Sequence, residues 1–221
     1  MSWLVLGLLV IAALLVSRRM QLVPSGLQNV WEFFIESFSG LMTGVFGTRE
    51  KAEKYLPLVA TIFVFILVSN WLGIFPGVGS IGFYEVKEGE RLFVPFFRSA
   101  ASDLNFTLAL AILTVVVVNI KGAMELGFGK HLSKFFDFRS PINFGIGLLE
   151  LVSEFAKIIS FSFRLFGNVF AGEVLLIIAA FLAPYVAPIP FLMLEIFVGF
   201  VQALVFAMLS MVFISIAVSH H

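Results

Sequence analysis

An all-α polytopic membrane protein, with about five membrane-embedded helices plus one interfacial amphipathic helix, is the fold class this sequence predicts. Three observations predict it. Hydrophobic residues make up 60% of the 221 and charged residues only 13%, with a mean hydropathy of +1.06, which is far too apolar for a soluble domain of this size. The apolar residues fall in runs long enough to cross about 30 Å of hydrocarbon. The charges gather between those runs. A lone span in lipid has to be helical, because only then does it satisfy its own backbone.

The same composition excludes other classes. Formal net charge is +0, and the chain carries no nucleic-acid-binding motif. Cysteine is absent, which removes disulfides, thiolate catalysis and cysteine metal sites. No Ser- or Pro-rich linker, repeat or low-complexity tract divides the sequence, so 1–221 reads as a single membrane domain.

Taken in order, residues 1–19 form an N-terminal anchor helix: Trp3 to Val16 is apolar and Arg18 and Arg19 follow it. A signal peptide carries its positive charge before the apolar run, so this order favours a retained anchor with its N-terminus outside. Over 25–44, Val30, Trp31, Phe34, Ile35, Phe38, Leu41 and Met42 recur on one helical face with Glu32 and Glu36 opposite. That face is expected along the membrane surface; packing on a partner subunit fits equally, because the polar face lacks the lysines of a lipid-binding helix.

Arg49, Lys51 and Lys54 precede a membrane helix at 57–75, which Pro76-Gly77 and Gly79 end. Val78 to Ala101, with its glycines and charges, reads as an exposed loop. The next crossing is 103–120, helical despite the β-branched run Val115 to Val118. Lys121 to Ser140 is a second polar connection. Pro141 then opens a long helix at 141–183, and prolines 184, 188 and 190 break it off before a final one at 190–218. With the N-terminus outside, Arg18, Arg19, Arg49, Lys51, Lys54, Lys121, Lys130, Lys134 and Arg139 fall inside, against Lys87, Arg91 and Arg98 outside. This satisfies the positive-inside rule and leaves the C-terminus inside.

The helix at 141–183 is the unusual one. At 1.5 Å per residue it spans about 60 Å, twice the hydrocarbon thickness, so it cannot stand upright. Glu150, Glu154, Lys157, Arg164 and Asn168 lie within about 40° of one line, with Ser153 and Ser160 bordering it. An internal ladder from Glu150 or Glu154 to Lys157 accounts for three of those charges without any transport role. Arg164 is different: it has no partner at i±3 or i±4 and sits about 30 Å from either end, too deep to snorkel. A charge at that depth costs on the order of 3 kcal/mol or more and marks an ion pathway. Glu173, nine positions on, points to the opposite side of the helix. On the last helix Glu195 and Gln202 share a face, and Gly199 between them leaves room for close helix approach.

The string Arg164-Leu165-Phe166-Gly167-Asn168, followed by Ala171-Gly172-Glu173, resembles the signature of subunit a in the membrane (Fo) sector of F-type ATP synthases. The likeness runs from near Gly26 to the C-terminus and takes in Leu56-Pro57, Ser69-Asn70, Gly73, Pro76-Gly77, Asp103-Leu104-Asn105 and Gln202. It implies two long helices tilted against a ring of c subunits, and two offset half-channels that load and unload ions on that ring. Carried onto this sequence, Glu173 and Glu195 with Asp103 and Asn105 belong to the outer path, Glu150, Ser153 and Ser160 to the inner one, and Arg164 separates them; Asn168 and Gln202 complete the set. The other implied partners are peripheral-stalk b subunits, the remainder of the synthase and the lipid bilayer. The implied location is an energy-coupling membrane of the bacterial inner-membrane kind. By family frequency the ion is a proton. Members often carry a histidine at one of the positions matching Glu173 and Glu195, whereas here both are acids.

No cofactor and no catalytic role are expected. Gly127-Phe-Gly-Lys130 lacks the Walker spacing, and His131, His220 and His221 have no nearby carboxylate with which to form a metal site; the terminal histidine pair reads as a native end. A stand-alone transporter or channel using Arg164 to bind an anionic substrate is the competing reading, but the internal repeat it calls for is absent. An intramembrane hydrolase lacks a serine paired with a base.

Overall fold

The computed structural model describes residues 1–17, 26–75, 82–87, 90–95, 98–127, 141–184 and 186–219. Six α-helices follow one another among them: α1 (Ser2–Ser17), α2 (Leu27–Phe46), α3 (Arg49–Ile74), α4 (Leu104–Leu126), α5 (Pro141–Leu182) and α6 (Pro188–Ser219). Between α3 and α4 lie two strands, β1 (Gly82–Lys87) and β2 (Glu90–Pro95), and a 3-10 turn at Ala100–Ser102. α3, α4, α5 and α6 are each long and apolar enough to cross a membrane. The chain is thus an integral, multi-pass, all-α membrane protein. α1 is apolar along its 16 residues, about 24 Å, which is short of a full hydrocarbon thickness.

Within the segment expected as a loop over Val78 to Ala101, residues 82–87 and 90–95 form an antiparallel hairpin, paired from Gly82↔Pro95 to Lys87↔Glu90. Its strands are rich in aromatic and β-branched residues, and two residues, Glu88 and Gly89 in the sequence, separate them. That is a hairpin signal masked by the density of charge. Pro76-Gly77, Gly79, Arg18, Arg19, Lys130, Lys134 and Arg139 lie outside the described residues, as do all three histidines.

Two helices run further than their apolar cores predict. α3 starts at Arg49 rather than 57, and α4 continues to Leu126 rather than 120. The two extensions meet: Glu125 of α4 is ion-paired with Lys54 and accepts a hydrogen bond from the Tyr55 hydroxyl at 3.1 Å. Arg49 and Glu53 pair along α3 at 2.7 Å. α2 ends where Gly47 takes a φ of 74°, a left-handed residue that closes the helix by donating its N–H to Thr43. Of the apolar face expected on the membrane surface, Phe34, Phe38 and Met42 turn inward, with Phe34 stacked on Phe63 at 5.4 Å. Val30, Ile35 and Leu41 stay exposed.

Lipid tails are as apolar as leucine, so helices in a membrane associate through close packing and interhelical hydrogen bonds of about 0.6 kcal/mol each on average. α3 is held to α6 in this way. The Asn70 amide donates to the Gly199 carbonyl at 3.0 Å and the Trp71 indole to that of Ile196 at 3.1 Å. A Cβ on Gly199 would lie 3.2 Å from that of Asn70, so the glycine does permit close approach, and the helix that approaches is α3. Between α4 and α5, Thr107 and Ser162 share a buried hydrogen bond of 3.1 Å. Between α5 and α6, Phe161 packs on Phe206 with ring centres 4.4 Å apart.

α5 has 42 residues and measures about 63 Å. Only 17% of its most apolar window is buried, against 33–39% for the other three spans, so one long side of it is bare.

Candidate functional site

Arg164 sits near the middle of α5, half-buried, with its guanidinium donating to the Ser160 hydroxyl at 3.3 Å. The sequence reading left it without a partner one turn away; the structure supplies one, and it is neutral. Among the described residues Arg164 makes no ion pair. Below it opens a cleft of about 310 Å³, lined on α5 by Ser153, Lys157, Ser160 and Arg164 and on α6 by Leu209 and Phe213. One turn above, Asn168 donates to the Arg164 carbonyl at 2.9 Å.

Lys157 is accounted for structurally. Its ammonium lies 2.7 Å from Glu154 and 4.9 Å from the centre of the Phe213 ring, and Glu154 accepts a second hydrogen bond from Asn119 of α4 at 3.0 Å. The ladder expected between Glu154 and Lys157 is therefore present and reaches across to α4. Glu150 is half-buried one turn before it.

On the other side of Arg164 the polar groups converge from three helices. Asn168 of α5, Glu195 and Gln202 of α6 and Asn70 of α3 line a pocket of about 10 Å³ beside Gly199. That is about the volume one water needs. Two buried atoms at its wall, Asn70 Oδ1 and Glu195 Oε2, have no hydrogen-bond partner among the described residues. Glu195 packs on Gly172: a Cβ there would fall 2.6 Å from its Oε1.

Glu173 turns away toward Arg98, whose guanidinium is 3.4 Å from its Oε2. Arg98 in turn lines a wider vestibule of about 440 Å³ with Ser99, Ser102, Asp103 and the start of α1. Asp103 caps α4, accepting from the backbone N–H of Asn105 at 2.8 Å, and Asn105 itself is exposed.

The predicted residues thus fall into three places. Ser153 and Ser160 line the cleft with Arg164; Asn168, Glu195 and Gln202 share the small pocket; and Asp103 lines the vestibule, which Glu173 meets through Arg98. Sequence reasoning missed two members. Asn70 entered only as part of the family likeness, with no site role, and Arg98 only as one charge of an outer loop. Among the described residues no three acids or histidines gather as metal ligands would.

Comparison with known proteins bears on all of this. A family model described as ATP synthase A chain matches residues 1–215. The chain is 36% identical over 209 residues to ATP synthase subunit a of Campylobacter jejuni subsp. jejuni serotype O:23/36 (strain 81-176), covering 93% of this chain and 83% of that one. It is 35% identical over 219 residues to the protein of that name from Campylobacter concisus (97% and 87% covered), and 37% identical over 214 residues to that from Campylobacter fetus subsp. fetus (96% and 85%).

Proposed function

The chain belongs to the ATP synthase A chain family, a non-catalytic membrane subunit of the F-type ATP synthase, and from that premise we propose that it is the stator through which protons reach and leave a ring of c subunits. The observation that carries the reading is the division of its polar groups about Arg164. A cleft with two serines lies on one side, and a pocket with a carboxylate oxygen that has no hydrogen-bond partner among the described residues lies on the other. Two water paths that stop at mid-membrane have this form.

In the proposed mechanism a proton enters from outside through the vestibule, passes by way of Glu173 and Glu195, and neutralises a carboxylate on the ring. Asn70, Asn168 and Gln202 hold water at the inner end of that path. After the ring has turned, the proton leaves by the cleft at Ser160 and Ser153, with Glu150 toward its end. Arg164 stays charged throughout, since a guanidinium does not release its proton in a protein. It therefore repels a proton seeking the short way between the paths. Each charge crossing the potential delivers about 2.3 kcal/mol per 100 mV, which reaches the catalytic sector as torque.

The ring would lie along the bare side of α5, with that helix and α6 tilted to follow its curvature. Peripheral-stalk b subunits would hold the chain against it. The proposed orientation, N-terminus outside and C-terminus inside in a bacterial inner membrane, rests on the charge count. Cysteines at positions 89 and 133 should then label from opposite faces with an impermeant thiol reagent, and labelling of both from one face overturns the orientation.

Glu173→Gln and Glu195→Gln test the outer path. Each keeps the packing but removes a group that accepts and returns a proton, so ATP-driven pumping should fall about tenfold or more with the complex assembled. Normal coupled pumping in the double variant removes both acids from the path.

A further inference from the structure

The outer path places two acids next to each other. Glu195 presses against Gly172, the residue before Glu173, so its carboxylate and that of Glu173 belong to one neighbourhood at the α5–α6 contact. Two like charges in one neighbourhood disfavour each other, and Glu173 is turned away from Glu195 toward the vestibule. One cation faces them in the described structure. Arg98 approaches Glu173 from the segment that precedes α4, at 3.4 Å.

The placement of that cation is built in. Ser99, the next residue, is buried against Gly73 of α3: a Cβ on the glycine would fall 2.6 Å from both Cβ and Oγ of Ser99. The Ser99 carbonyl accepts from the Ser102 hydroxyl at 2.9 Å and from its backbone N–H at 3.3 Å, fixing the 3-10 turn. The chain is thereby anchored at the residue after Arg98, while the arginine side chain, 60% exposed, spans from the vestibule to Glu173. The other charged side chain on the vestibule wall, Asp103, is engaged as the cap of α4.

We propose that Arg98 is a positioning residue for ion transfer: its guanidinium holds the Glu173 carboxylate toward the vestibule, away from Glu195, and offsets its charge. A cation at hydrogen-bond distance keeps a carboxylate oriented and offsets its charge, and a guanidinium, because it stays protonated, does not join the relay. The proposal rests on the reading of Glu173 as an outer-path acid. It assigns that path a fixed cation, supplied from outside the two long helices.

The test uses the assembled synthase in inverted vesicles. Because the arginine end of the pair is exposed, Arg98→Gln should lower ATP-driven pumping by about threefold, with complex content unchanged. Arg98→Lys should restore most of the loss. In a Glu173→Gln background, Arg98→Gln should add nothing further, because the group it positions has gone. Wild-type pumping in Arg98→Gln while Glu173→Gln is impaired overturns the proposal and leaves the outer path standing. Wild-type pumping in both overturns the outer path itself. An equal loss from Arg98→Gln in both backgrounds, or failure of the Arg98→Lys complex to assemble, assigns the arginine to folding and overturns the proposal too.

Discussion

Two basic side chains on α5 sit within two turns of each other and differ in what answers their charge. Lys157 is met by Glu154, which is itself held by Asn119, so the ammonium is part of the structure that joins α4 to α5. Arg164 is met by a hydroxyl and an open cleft. A charge at mid-span costs about 3 kcal/mol or more, and the second arrangement accords with the role proposed for Arg164. Arg164→Lys separates use from structure. The ammonium keeps the formal charge but sheds its proton far more readily than a guanidinium and loses the fork, so coupled pumping should collapse although the complex assembles. If Arg164 separates the two paths as proposed, Arg164→Ala removes the barrier, and vesicles carrying the ring with this variant should leak protons passively. A purely structural arginine gives the opposite pattern, lost assembly without a leak. A lysine variant that pumps at the wild-type rate removes Arg164 from the mechanism.

The helices owe their arrangement to a few close approaches, and these can be tested one at a time. Around Gly199 the gap to Asn70 is 3.2 Å for an added Cβ, so alanine asks α3 and α6 to give by a few tenths of an ångström and leucine asks far more. Gly199→Ala should cost about 1 kcal/mol and remain assembled, whereas Gly199→Leu should break the Asn70 hydrogen bond and reduce the complex recovered from membranes. Equal recovery of wild type and the leucine variant argues against this contact as a lock. What the sequence made legible follows the same logic. The apolar cores of α3 to α6 and the polar stripe on α5 are periodic within one segment, and periodicity exposed them. The charged ends of α3 and α4 are helical because Lys54 and Tyr55 find Glu125 some seventy residues away, a pairing no local pattern announces. Arg98 and Asn70 escaped for that reason as well: each gains its meaning from a partner on another helix, Glu173 for one and Gly199 for the other.

At the scale of the whole molecule, the long side of α5 is left uncovered, and its surface is graded in size. Ile159, Phe163 and Phe170 are exposed along it, while Ser153, Ala156, Ser160, Gly167 and Ala171 form an exposed stripe of small residues at helical spacing. Small residues let another helix come close where no release of water drives association. A Cβ added at Gly167 meets nothing within 4 Å, so a larger side chain there leaves the chain's own packing untouched. It would stand in the way of anything seated on the stripe beside Arg164. If that face receives the ring, Gly167→Leu should leave the amount of this chain in the membrane unchanged, yet sharply lower both the c subunits that copurify with it and ATP-driven pumping. A chain that accumulates normally and retains its ring and pumping with leucine at 167 would place the ring elsewhere. Loss of the chain itself would show that the bare face has a second partner on which its folding depends.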